Sequence, residues 1–333
     1  MKRMSLYFTG PQKVELRKED FPKLAPGHVQ VRSLVSAISA GTELLIYQGQ
    51  TPQNLLADTE LAAISGSLAF PLKYGYSIVG EVTQLGDGVK EPWNGKRVFA
   101  FNPHESAFNA DVKDVQLLPE DCIVEDAAFL ANMETAISLV QDGQPLLGEK
   151  VVVLGQGIVG LLAIAILSRF PLDLFSVDAI GLRREFSKRL GAKESFSTEA
   201  VADIKVRLGA QGADLVYELT GRPEALNTAL DLVGEHGRIL VGSWYGTRQA
   251  SINLGKKFHR GRIKIISSQV SQIEPGLRGR WDKARRFEQA WHWLREIKPS
   301  RLVTHRFQFS NAADAYQLLA GDAENALGVL FQY

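Results

Sequence analysis

Residues 151–160 read VVVLGQGIVG, and the rest of the chain can be interpreted outward from them. Four apolar residues run into Gly155, Gly157 and Gly160, and the chain continues as a second apolar stretch, IVGLLAIAIL. The pattern predicts a buried strand, a tight turn and a helix. Each glycine has a separate reason. Gly155 permits the turn, Gly157 lets the backbone approach a pyrophosphate, and Gly160 lets the helix pack close to the strand. Backbone N–H groups around Gln156, Ile158 and Val159 then face phosphate oxygens at the helix start. The next strand ends at Asp178, 18 residues after Gly160. A carboxylate there accepts hydrogen bonds from the adenosine ribose hydroxyls and repels a 2′-phosphate, which favours NAD over NADP. Arg183 and Arg184 follow closely and offer a phosphate partner, so NADP is disfavoured and not excluded. The competing interpretation is a dinucleotide fold that has lost its cofactor.

Around this motif, short Val/Ile/Leu-rich strands alternate with helices from about Glu134 onward. KVVVLG, LFSVDA, ADLVYELTG, RILVGS and RIKIISSQV read as strands, and RPEALNTALDLVGEHG between two of them reads as a helix. Alternation of this kind predicts a parallel sheet covered on both faces. Thr220 and Ser243, at the ends of two strands, complete the candidate cofactor set, and Trp244 lies beside Ser243. The first third is β-rich, with turn signals such as GDG and PWNG. After about Gln272 an amphipathic helix places Ala284, Phe287, Trp291 and Leu294 on one face. A strand, a helix and a strand then close the chain.

Composition bounds the chemistry. The 333 residues are 45% hydrophobic and carry a net charge of +1, which gives no global attraction to nucleic acid or an anionic membrane. One cysteine, Cys122, excludes an intramolecular disulfide framework and a thiolate-rich metal site. The N-terminus lacks a secretory apolar core, and the longest apolar run is too short to cross a bilayer. The expectation is a cytoplasmic protein acting on a small molecule, with no nucleic-acid or membrane partner.

Several stretches resemble the medium-chain dehydrogenase/reductase superfamily, in its threonine and polyol dehydrogenase-like branch. SAISAGTELLIYQG is similar to the family's early Cys-Gly-Thr-Asp segment, YGYSIVGEVTQLGDGV to its Gly-His-Glu segment, and GKRVFAF to its Gly-Asp-Arg-Val strand. VEDAAFLANMETAI, GADLVYELTGRPEAL and GRILVGSWYG match later segments, so the resemblance covers essentially the whole chain. SAISAGTE also resembles a subgroup that includes bacteriochlorophyllide dehydrogenases. The resemblance implies an α/β protein: a GroES-like β-rich catalytic domain from residues 1–133 and 269–333, plus a Rossmann doubly wound parallel-sheet domain at 134–268. It also implies an active-site cleft and a homodimer or homotetramer.

Zinc-dependent relatives hold a catalytic metal with Cys, His and a further Cys or Glu. Those positions here are Ala40, Tyr76, Ser77 and a position near Asn132, none of them a good zinc ligand. There is no room between Val98 and Phe108 for the family's four-cysteine zinc lobe. The expected cofactor set is therefore NAD, NADP less favoured, and no zinc. Thr42 matches the hydroxyl that touches the substrate oxygen, whereas Leu45 replaces the relay histidine. Tyr76 either donates a hydrogen bond or proton into the cleft, or fills the space left by the metal. His104 is either an acid/base or a surface-loop residue. Glu134 either faces the cleft or flanks a helix start.

The other histidines, His28, His236, His259, His292 and His305, have no partners at ligand spacing. The basic span 256–286 is either a solvated face or a site for an anionic group. The expected activity is zinc-independent hydride transfer between nicotinamide and a secondary alcohol or ketone. The alternatives are an NADPH-dependent quinone or enoyl reductase, and a non-catalytic nucleotide-binding protein.

Overall fold

A computed structural model describes residues 2–57 and 62–333. The chain begins with β1 (Lys2–Gly10), β2 (Lys13–Asp20), β3 (His28–Ala37), α1 (Ala40–Tyr47), β4 (Ile78–Leu85), β5 (Arg97–Ala100), β6 (Ala107–Asp111), β7 (Val115–Leu117) and α2 (Val124–Ala127). It continues through α3 (Leu130–Gly143), β8 (Lys150–Leu154), α4 (Ile158–Leu167), β9 (Asp173–Val177), α5 (Gly181–Arg189), β10 (Glu194–Phe196), α6 (Val201–Leu208) and β11 (Ala213–Glu218). It ends with α7 (Ala225–Leu232), β12 (Val233–Val241), β13 (Lys264–Ser267), α8 (Lys283–Ile297), β14 (Val303–Gln308), α9 (Ala312–Gly321) and β15 (Gly328–Gln332).

These elements divide into two compact units, Met1–Ala131 with Leu294–Tyr333, and Asn132–Trp293. The second is built on a parallel sheet in the order β10-β9-β8-β11-β12-β13. The strand order reverses direction between β8 and β11, which leaves a crevice at their carboxyl ends. Residues 151–154 of β8 are all buried, as a strand covered on both faces requires. Helix α4 is nearly all apolar, and every residue from Gly160 to its end is buried. A polar substitution at Leu161 or Ile164 would forfeit about 1.5–3 kcal/mol of burial.

The first unit is β-rich. Its larger sheet runs β14-β15-β3-β4-β5-β7, with β6 also paired to β3, and β1 and β2 form a separate hairpin. Its core packs Leu6, Phe8, Ile46, Tyr47, Tyr316 and Phe331 together. Only six residues separate β5 from β6. The Rossmann and GroES-like architectures therefore both form. Among the described residues no helix is long and apolar enough to cross a membrane.

Two boundaries differ from the sequence reading. The stretch 269–293, expected with the β-rich domain, is part of the parallel-sheet unit. Ser268 donates its hydroxyl to Asp142 on α3, and Arg286 donates to Gln141 on the same helix. The helix expected through RPEALNTALDLVGEHG stops at Leu232, and β12 takes over at Val233. His236, at φ 58, bends this strand's early part, which reads locally as a turn.

Candidate functional site

The glycine turn lies at the carboxyl end of β8, and the three glycines have distinct surroundings. Gly155 has φ +91, and a methyl group on it would lie 2.5 Å from the Leu219 carbonyl oxygen. A methyl on Gly160 would lie 2.1 Å from the Gly155 carbonyl oxygen. These two glycines are required by close packing of strand, turn and helix. A methyl on Gly157 would meet nothing within 4 Å, so its backbone faces open space. Gly157 caps α4 without any side-chain hydrogen bond. The first N–H groups of a helix have no partner within it, so the α4 start, from Ile158 and Val159, offers donors and a positive dipole end to an anion. A pyrophosphate fits this cradle.

Asp178 is almost fully buried beside the turn. Its Oδ2 accepts the Gln156 N–H at 2.7 Å, and Oδ1 accepts the Ile180 N–H at 2.8 Å. A carboxylate has about four lone-pair directions, so each oxygen keeps acceptor capacity. The Gln156 N–H is thus committed to Asp178. Its side-chain amide turns inward to the carbonyls of Val153 and Gly155, at 3.0 and 3.1 Å. Arg184 is held by the carbonyl oxygens of Asp178 and Ala179. Arg183 is partly buried, and burial pulls its guanidinium pKa down while the charge of Asp178 opposes this.

Thr220 and Ser243 surround a carboxylate that the sequence reading did not single out. Glu218, fully buried at the end of β11, accepts the N–H of Thr220 at 2.8 Å and the Thr220 hydroxyl on Oε1. Its Oε2 accepts the Tyr245 hydroxyl at 2.5 Å. Ser243 accepts the Gly221 N–H at 2.9 Å. The knot fixes the strand ends that adjoin the turn: the Thr220 Cα lies 2.8 Å from where a Gly155 side chain would begin. The acid in YELTG, inside an apolar strand, was the available signal.

In the β-rich unit, three hydroxyls meet at the start of α1. The Tyr76 hydroxyl is bonded to Ser39 Oγ and donates to Thr42 Oγ1 at 3.4 Å. All three residues are partly buried. Burial pushes the Tyr76 phenol up, the bonds to Ser39 and Thr42 pull it down, and the charge of Glu43 adds to the rise. The net shift is upward, so the phenol keeps its proton at neutral pH. Thr42 and Tyr76 are thus brought together, joined by Ser39, which the sequence reading passed over beside Ala40. Ser77 points elsewhere, donating to the Ala128 carbonyl oxygen at 2.6 Å. Leu45 is a core residue.

His104 is placed differently from the surface-loop expectation. It is no surface-loop residue: its side chain is fully buried. Nor does it present a free ring nitrogen, because Nε2 lies 3.1 Å from Glu43 Oε2 and Nδ1 2.8 Å from Ser36 Oγ. Glu134 belongs to the parallel-sheet unit and is also buried. It pairs with Lys283, and Arg286 Nη1 lies 3.8 Å away. Arg286 is fully buried and also donates to the carbonyls of Val270 and Gln272. A buried arginine needs such a counter-charge.

Lys283 and Arg286 therefore do not belong to a free basic face, and Arg285 lies over the Trp281 ring. Among the described residues, no group of three or more His, Cys, Asp and Glu is placed to hold a metal ion. The Cys122 thiol is buried and pushed up to about 11, which keeps it protonated. Two surface hollows, of about 320 and 430 Å3, lie around Cys122 and around Asn227. Neither is lined by the glycine turn or the hydroxyl cluster.

Comparison with known proteins adds to this geometry. The profile of the family "Zinc-binding dehydrogenase" matches residues 159–293. The chain is 25% identical to D-guloside 3-dehydrogenase of Escherichia coli (strain K12), with 93% of this chain and 94% of that protein covered. It is 27% identical to (R,R)-butanediol dehydrogenase of Bacillus subtilis (strain 168), over 76% of this chain and 78% of that one. An alcohol dehydrogenase of E. coli CFT073, crystallised with NADH, shares the fold with a TM-score of 0.81 and 20% identity, covering 100% of this chain and 99% of that chain.

Proposed function

The chain belongs to the medium-chain dehydrogenase/reductase superfamily, and on that premise we propose a zinc-independent dehydrogenase that favours NAD and acts on a secondary alcohol or its ketone. Relatives are named as dehydrogenases and a solved structure of the same fold holds NADH, which supports a nicotinamide-dependent oxidoreductase of the medium-chain type. The observation that carries the proposal is the open space in front of Gly157, set between two tightly packed glycines. Relatives are named for a guloside and a butanediol, and a small hydroxylated substrate is the class proposed here.

Bound nicotinamide supplies hydride exchange at its C4. The protein's own groups do the rest. The α4 start and the Gly157 backbone hold the pyrophosphate, and Asp178 accepts from the adenosine ribose. Thr42 and Tyr76 hydrogen-bond the substrate oxygen, where negative charge grows during hydride transfer. Preorganised donors at such an oxygen provide the stabilisation that a metal provides in other dehydrogenases. The Tyr76 phenol, protonated at neutral pH, donates in the ketone direction, with Ser39 as its exchange partner. Ala40, Tyr76, Ser77 and Asn132 at the family's ligand positions support zinc independence.

Metal analysis of the purified protein, combined with NADH and NADPH titrations and a panel of diols, polyols and ketones, tests this proposal. The expected result is metal-free protein, tighter NADH binding, and turnover on part of the panel. Stoichiometric zinc, or no binding of either dinucleotide, overturns it. Asp178→Asn keeps the shape and loses the charge. It is expected to weaken NADH binding by about 2 kcal/mol, roughly thirtyfold, and to narrow the NADH-to-NADPH preference. Fluorescence titration with both dinucleotides reads this directly, and an unchanged ratio rules Asp178 out as the discriminating residue.

A further inference from the structure

Below the hydroxyl cluster lies a second polar group that the proposed reaction does not use. Glu43, His104, Ser36 and Tyr316 are all fully buried in the β-rich unit. Glu43 Oε1 accepts the Ser39 N–H at 2.7 Å. Its Oε2 lies 3.1 Å from His104 Nε2 and accepts the Tyr316 hydroxyl at 2.5 Å. On the far side, Ser36 Oγ lies 2.8 Å from His104 Nδ1 and 2.9 Å from the Tyr333 hydroxyl. One proton arrangement satisfies every member. Tyr333 donates to Ser36, Ser36 to Nδ1 of a neutral His104, His104 Nε2–H to Glu43, and Tyr316 to Glu43. A fully satisfied buried network is rigid, and a half-satisfied one is costly.

The placement of this network matters more than its stability. One end holds the backbone of Ser39, whose hydroxyl bonds Tyr76. The other touches the chain just before Tyr76: a methyl on Gly75 would lie 2.7 Å from His104 Cδ2, and the His104 N–H donates to the Tyr74 carbonyl. Both segments that supply the hydroxyls therefore rest on the same buried pair.

We propose that Glu43 and His104, with Tyr316, are positioning residues that set the spacing of the Ser39, Thr42 and Tyr76 hydroxyls for the reaction. This rests on the dehydrogenase reading above. None of the three touches the substrate, so the effect acts on turnover and not on cofactor affinity.

The test uses the full chain with Glu43→Gln and Tyr316→Phe. Glu43→Gln keeps the shape and still accepts the Ser39 N–H, but it sets an amide donor against other donors. Tyr316→Phe removes only one hydroxyl and keeps the ring packing, so it decides the matter if Glu43→Gln does not fold. Two readouts are taken: kinetics, and backbone hydrogen exchange of the peptide spanning residues 38–44. For Glu43→Gln, kcat is expected to fall between about tenfold and a hundredfold, as for a misplaced reacting group. KM and NADH affinity should stay unchanged, while exchange at 38–44 speeds up. Removing the nearby negative charge should also move the basic limb of the kcat–pH profile to lower pH, which a purely structural role would not do. Tyr316→Phe should shift kcat and exchange in the same direction by less.

Wild-type exchange in both variants overturns the proposal, as does faster exchange with wild-type kcat and pH profile, or a loss confined to KM. If the wild type binds neither dinucleotide while exchange still rises in Glu43→Gln, the dehydrogenase reading falls and with it the role in turnover, and what remains is that Glu43 anchors the backbone of residues 38–44.

Discussion

Gly157→Val is expected to weaken NADH binding by at least about a hundredfold, some 2.7 kcal/mol, while Tm stays within a degree or so of wild type. Gly157 is in extended backbone, φ −69 and ψ −177, which any residue adopts. Its Cβ would start in open space, so the fold has no objection to a side chain there. What the valine would obstruct is the approach of a pyrophosphate to the α4 start. Gly160→Val provides the contrast. There the first carbon would lie 2.1 Å from the Gly155 carbonyl oxygen, so helix and turn must move apart and Tm should fall together with binding. A fluorescence titration beside a thermal melt separates the two cases. Undiminished NADH binding by Gly157→Val would remove the turn as the phosphate site.

Tyr76→Phe is the second large effect, on turnover. Loss of one donor at an oxygen that gains charge typically costs about 10²–10³ in kcat. The ring stays, including its edge contact with Tyr74 at 6.0 Å between centroids, so packing changes little. Cofactor affinity should be unaltered, because no group that holds the dinucleotide is touched. Steady-state kinetics on whichever substrate emerges from the panel, alongside NADH titration, checks both halves. Full turnover by Tyr76→Phe would mean that the ring merely fills space.

The parallel-sheet unit was largely legible in the sequence because its signals are local. Strands buried on both faces are continuous apolar runs, and the glycines and Asp178 lie within one strand-turn-helix-strand unit. Side-chain partnerships were much less legible. His104, in FNPHES, has the local chemistry of a loop, and its buried partners Glu43 and Ser36 lie 61 and 68 positions earlier. Glu134 is neutralised by Lys283, 149 positions later. Neither spacing leaves a mark on periodicity or motif. Ser39 was hidden for another reason: a serine before a helix start is an ordinary capping residue, and only the fold brings its hydroxyl to Tyr76, 37 positions later. The start of β12 was missed because its glycines and the left-handed His236 are locally turn signals, whereas Val233 already pairs with Ala213 of β11.

The two bonds that Asp178 makes to backbone N–H groups have a consequence for attempts to change cofactor preference. One of them comes from Gln156, inside the glycine turn. On the proposed reading, a substitution that stops this residue binding the sugar would therefore also loosen the loop proposed to hold the pyrophosphate. Selectivity and tightness share a side chain and cannot be adjusted independently from that position. A redesign towards the 2′-phosphorylated dinucleotide should remove the carboxylate's charge and offset the lost turn contact from the neighbouring helix, by freeing Arg184 from its two carbonyl partners.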